Sequence, residues 1–203
     1  MKMLVQFLML VAVQGLLGQE LSFSPDMVFG HRSVTYKHTI GYAFSPKVSI
    51  NNLTLYDTEY NSDINNIYFI RSGIGLSFGK LMTNLAIGVK NPGAFATFSL
   101  GINNSGSRFS YNYSMGTTYQ DGFSLEQTLI LDYQPRLNDS YLGYVNLLAV
   151  GNLNGDGYIR GLQQLKLGIK KQEWIMGLAI NLDQFDNSKK RLKNLGFFLK
   201  HNF

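Results

Sequence analysis

Leu195-Gly-Phe-Phe-Leu-Lys-His-Asn-Phe203, at the end of the sequence, is the stretch whose reading decides the fold. Counting back from Phe203, the alternate positions are Phe203, His201, Leu199, Phe197 and Leu195, and the interleaved ones are Asn202, Lys200, Phe198 and Gly196. A strand with one apolar row and one more polar row suits a wall between lipid and a wet interior.

The same period of two recurs upstream, and helical periodicity does not. Val34, Tyr36, His38, Ile40, Tyr42 and Phe44 alternate with Ser33, Thr35, Lys37, Thr39, Gly41 and Ala43. Phe109, Tyr111, Tyr113 and Met115 alternate with Ser110, Asn112 and Ser114; Trp174, Met176, Leu178 and Ile180 alternate with Ile175, Gly177 and Ala179. Further segments read at 47–56, 66–79, 83–91, 94–102, 123–134, 141–151 and 157–170. Connectors such as Asn91-Pro92-Gly93 and Gln120-Asp121-Gly122 are hairpin turns in composition. These make eleven strands with the terminal one, and a barrel with both ends on one side needs an even number. The segment from Leu21 to Phe29 supplies a twelfth despite Pro25; ten strands is the alternative.

Phe203, Leu199 and Phe197 resemble the C-terminal signal by which bacterial outer-membrane β-barrels are recognised by the barrel-assembly machinery, although His201 stands where that signal usually has an aromatic residue. Met1-Lys2, the mostly apolar run Met3 to Val13, and the small residues Gly15 and Gly18 have the shape of a secretory signal peptide. The expected organisation is therefore a signal peptide over 1–18 and a single barrel domain over 19–203, located in the cell outer membrane. The abundance of Asn, Lys and Tyr, with Gly18-Gln19 after the signal, looks like barrels of the Bacteroidota lineage.

Composition agrees with a lipid-facing sheet. Aromatic residues make up 13% and charged residues only 15%, where a soluble domain carries about 25% charged. A soluble β-sandwich would alternate too, but would need more surface charge than this chain has. The tyrosines of 109–119 suit an interface better than a dry core. No Cys occurs, which excludes disulfides, thiolate metal sites and Cys nucleophiles. The net charge of +5 is dispersed apart from Lys189-Lys190-Arg191 and Lys193. That cluster reads as a loop facing lipopolysaccharide headgroups or water, not as a nucleic-acid patch. With Phe203 at the periplasmic rim, 57–65, 152–157 and 183–192 fall at the extracellular rim and hold most of the loop polarity.

Three constellations could carry chemistry. Lys37, Arg71, Arg108, Glu126, Asp132, Lys166, Lys170 and Lys200 lie out of phase with the apolar rows and so face the lumen. They read either as a salt-bridge network or as a net-positive pore lining. Asn152, Asn154 and Asp156 resemble the start of an EF-hand calcium loop, but the twelfth position is Gln163 and the flanks are strands; a Gly/Asn hairpin accounts for the same residues. Ser33 with His31 or His38, oriented by Asp57 or Glu59, is the one candidate catalytic assembly. No cofactor is expected.

The leading expectation for function is a non-enzymatic structural or accessory subunit of an outer-membrane assembly, with its lumen filled by side chains. The alternatives are a narrow channel for small anionic solutes and a lipid-modifying barrel enzyme. The expected partners are outer-membrane lipid and lipopolysaccharide, the assembly machinery and other outer-membrane proteins.

Overall fold

A computed structural model describes residues 21–203, so the expected signal peptide lies outside the described residues. Twelve strands run in chain order: β1 Leu21–Gly30, β2 Ser33–Ala43, β3 Val48–Glu59, β4 Ile67–Phe78, β5 Leu81–Lys90, β6 Gly93–Ser105, β7 Phe109–Tyr119, β8 Phe123–Tyr133, β9 Leu142–Asn154, β10 Gly157–Lys171, β11 Trp174–Phe185 and β12 Lys190–His201. Each pairs antiparallel with its sequence neighbours, and β1 pairs with β12 to close the barrel.

The twelfth strand is the segment around Pro25. Phe23 and Phe203 exchange both backbone hydrogen bonds, and the ladder resumes at Asp26↔Lys200. Pro25, which has no N–H to give, sits where the seam is interrupted between those pairs. The rim that carries Phe23 and Phe203 is the near rim, and the opposite one the far rim.

The strands expected over 47–56 and 195–203 are longer than their apolar alternation shows. β3 continues through Asp57 and Glu59, and β12 begins at Lys190, so the connection expected over 183–192 shrinks to 186–189. Lys190, Arg191 and Lys193 pair with Phe185, Gln184 and Leu182 as a charged extension of the β11–β12 hairpin. Its turn is tight because Asp186, Asn187 and Ser188 all take positive φ. Polar strand ends hide from a search for apolar rows, because above the lipid both faces are wet.

The outer surface is the one the alternation requires. Phe197 is 70% exposed while its neighbour Phe198 is 2% exposed. Between the rims the exterior presents residues such as Ile74, Leu85, Leu100 and Leu178. Exposed Phe44, Phe78, Phe109, Tyr133 and Trp174 ring the near rim, and Tyr56, Tyr68, Tyr119 and Phe123 the far rim. An apolar belt between two aromatic girdles makes this a transmembrane barrel.

Connections are short at both rims. The longest at the far rim is 60–66 and the longest at the near rim 134–141, so long connections do not segregate to the far rim as expected. The segment 134–141 folds on itself: Asn138 Oδ1 accepts from the backbone N–H of Ser140 (2.9 Å) and Tyr141 (3.0 Å), and Gly143 N–H donates to Pro135 O at 2.7 Å.

Candidate functional site: the barrel interior

Inward-facing residues divide the lumen into two unlike halves. On the side of β9–β12 and β1, Val28, Tyr144, Ile175, Ala179 and Phe198 pack into one buried cluster. Beside it Lys166 of β10, only 1% exposed, reaches across to form an ion pair with Asp26 of β1. Lys166 also lies 5.1 Å from the centre of the Phe198 ring, and Lys37 of β2 approaches Asp26 at 3.5 Å. A buried amine of this kind is tolerable only with a counter-charge. Asp26 neutralises it across two intervening strands.

On the side of β3–β8 the wall is built of small polar residues, including Asn51, Asn84, Thr97, Ser99, Asn112 and Ser114. They leave a cavity of about 190 Å³. Arg71 of β4 spans it to Glu126 of β8, Nη1 to Oε1 at 3.3 Å. Short side chains cannot fill the middle of a twelve-stranded barrel, so the lumen stays roomy where they line it.

Near the far rim a third network ties β1–β2 to β3 and β12. Arg32, in the turn after β1, bonds to Asp57 and to Glu59 (2.6 Å). Burial disfavours the charge on Arg32, but the bonds to Glu59 and Asp57 outweigh it and raise the guanidinium pKa above its ordinary value. Ser33 Oγ donates to Asp57 Oδ1 at 2.6 Å and accepts from Asn194 Nδ2 at 2.9 Å. Thr35 Oγ1 donates to the same Asp57 oxygen at 2.8 Å.

The structure brings Ser33 to Asp57 but joins it by a hydrogen bond to neither candidate histidine. Ser33 is fully buried among Asp57, Thr35 and Asn194, whereas His31 Nδ1 accepts from the Leu195 backbone N–H at 3.0 Å. His38 faces outward, its Nδ1 3.0 Å from the Tyr36 hydroxyl. Ser33 therefore holds a carboxylate in place. Ser33→Ala is expected to cost about 1–3 kcal/mol of stability, since Asp57 loses a buried donor; urea unfolding of the detergent-folded protein measures it.

Asn152, Asn154 and Asp156 belong to a two-residue hairpin. Asn152 faces inward and is buried, Asn154 ends β9, and Asp156 N–H donates to Asn154 Oδ1 at 2.9 Å. Gly157 completes the turn with φ +119°. Among the described residues no three His, Cys, Asp or Glu side chains are grouped to hold a metal ion.

Of the expected lumen charges, Lys37, Arg71, Glu126 and Lys166 are ion-paired inside. Asp132 accepts from Asn146 Nδ2 at 2.9 Å. Arg108 is the exception: it lies exposed in the turn before β7, one residue short of the wall. Asp26 and Asp183 are inward carboxylates outside the expected set; Asp183 accepts from Arg160 Nε (3.0 Å) and Nη2 (2.6 Å). Lys90, Lys170 and Lys200 face inward with no carboxylate partner among the described residues. Lys90 lies over the Phe95 ring, Lys200 over Tyr144, and Lys170 donates to Gln134 at 3.4 Å.

No protein-family model matches this chain. No curated protein matches it either. Solved structures do. A structure of the KdgM porin superposes with a TM-score of 0.57 at 11% identity, over 90% of this chain and 99% of that one. The NanC porin superposes with a TM-score of 0.57 at 6% identity, over 91% of this chain and 99% of that one. KdgM in complex with disordered oligogalacturonate gives 0.56 at 10% identity, over 90% and 99%. At such identities the likeness is one of fold: this chain is a closed twelve-stranded barrel of the outer-membrane type.

Proposed function

We propose that the protein is a narrow channel for small solutes, with a preference for anions. The observation that carries this reading is the open half of the lumen. A barrel that served only as scaffold would have no reason to line one side with Asn, Ser and Thr and leave a cavity of about 190 Å³ there. The expectation of a lumen wholly filled by side chains fits only the half around Lys166. Lys90, Lys170 and Lys200, unpaired with carboxylates among the described residues, give the interior a surplus of positive charge that favours anions. The three similar structures are of two porins, KdgM and NanC, and one of the KdgM structures is in complex with disordered oligogalacturonate, whose sugar units are anionic.

Conductance in planar bilayers tests the proposal. The wild-type protein is expected to show small, anion-selective single-channel steps. Removing the bridge across the cavity with Arg71→Ala and Glu126→Ala together should raise the conductance about twofold or more, because those side chains obstruct the path. Lys90→Glu with Lys170→Glu should lower the anion-to-cation permeability ratio. A silent bilayer, with stoichiometric partners co-purifying in mild detergent, would instead support the accessory-subunit reading. A change in lipid A or phospholipid mass that Ser33→Ala abolishes would support the enzyme.

A further inference from the structure

We propose that the outward face of β2–β4 is the interface through which two copies of this chain associate in the membrane about a two-fold axis. The inference is independent of whether the lumen conducts. The outward row of β3 runs Ile50, Asn52, Thr54, Tyr56, that of β4 runs Ile70, Ser72, Ile74, and that of β2 runs Tyr36, His38, Ile40. His38, Asn52 and Ser72, with the buried Thr54 among them, therefore form a polar strip midway between the aromatic girdles. Elsewhere at mid-strand the exterior offers Leu85, Phe98, Leu178 and Phe197.

The strip is partly satisfied within one chain. Asn52 Nδ2 donates to Ser72 Oγ at 2.9 Å, and Thr54 Oγ1 donates to Asn52 Oδ1 at 3.1 Å. His38 Nδ1 meets the Tyr36 hydroxyl at 3.0 Å. The hydroxyl proton of Ser72, the second amide proton of Asn52 and Nε2 of His38 have no partner among the described residues. Hydrocarbon can supply none, and an unmet donor there is costly. Polar side chains at this depth belong against protein.

The chemistry of the strip selects the occupant. It holds donors and acceptors side by side and no Asp, Glu, Lys or Arg, so it asks for a neutral partner of mixed hydrogen-bonding character. The strip itself meets that description. Two copies related by a two-fold axis that passes beside Ser72, between it and Asn52, would exchange the amide and hydroxyl bonds that each lacks, while Ile50, Ile70 and Ile74 pack around them. The outward mid-strand glutamines, Gln127 of β8 and Gln163 of β10, lie on the opposite side of the barrel. Gln127 already accepts from the Tyr113 hydroxyl at 3.4 Å.

The chain has no cysteine, so a single introduced thiol reports contacts without background. Ser72→Cys, oxidised in native membranes of cells making the full-length protein, is expected to give disulfide-linked homodimers. Leu178→Cys on β11, likewise exposed on the outer face, should stay monomeric. Asn52→Leu with Ser72→Ala should keep the folded barrel but yield monomers by native mass spectrometry in mild detergent, where the parent is dimeric. Four results would overturn the proposal: monomeric Ser72→Cys, equal cross-linking of Leu178→Cys, cross-linking of Ser72→Cys only to a Gln163→Cys copy, or its capture of a different protein.

Discussion

Asp26→Ala is expected to destabilise the barrel by about 3–5 kcal/mol, the usual consequence of stripping a buried ion of its partner. Lys166 is almost wholly enclosed, and among the described residues its amine meets a single carboxylate, that of Asp26. Lys37 leans on the same group, so removing it leaves two amines facing each other in a confined space. Water entering through the open half of the lumen is the only relief, and the packed cluster of Val28, Ile175 and Phe198 stands in the way. Urea unfolding in detergent or lipid measures the loss. Asp26→Leu combined with Lys166→Met should recover most of it, because apolar residues of similar volume often replace a buried pair at no net cost. A single Asp26→Ala variant as stable as the parent would show that the pair holds nothing together.

The second large effect concerns closure. Gly196 of β12 lies at the seam opposite Gly30 of β1. A Cβ added there would sit 2.0 Å from the Phe29 carbonyl oxygen and 2.4 Å from the Gly30 Cα, both of them backbone. No rotamer change relieves such a contact; the strands must part. Overpacking in general costs about 1–3 kcal/mol and occasionally more. The seam has little reserve, since only Asp26 to Gly30 of β1 form its continuous ladder to β12. Gly196→Ala is therefore expected to lose the heat-resistant folded band on semi-native gels and to accumulate as unfolded protein. Gly79→Ala offers a contrast: open space surrounds that position, but its φ of +68° still disfavours a side chain. Its cost should be confined to local strain in the turn.

The architecture was legible because a sheet between lipid and water must alternate, and a two-residue period survives in the sequence without any alignment. Phe197, Leu199 and Phe203 face outward and Phe198 and Lys200 inward, as the terminal stretch indicates. What escaped was set by exceptions to that period. Pro25 obscured β1, and with it Asp26, the counter-charge at the centre of the packed half. Asp57 and Glu59 looked like a loop because polar residues end an apolar row, yet β3 carries them to the far rim. Arg108 looked like wall because Phe109 begins the next strand. Contacts across the lumen, such as Lys166 to Asp26 and Arg71 to Glu126, join strands distant in sequence. They depend on register and barrel diameter, neither of which a single strand encodes.

The shortness of both sets of connections has an outcome of its own. Among the described residues only 60–66 and 134–141 extend beyond tight turns, so what rises above the lipid is mostly paired strand, such as the charged end of the β11–β12 hairpin. With Phe203 at the periplasmic rim, 134–141 faces the periplasm, so whole-cell proteolytic shaving should nick the protein within 60–66 or at the exposed basic turn 186–191, and leave 134–141 intact.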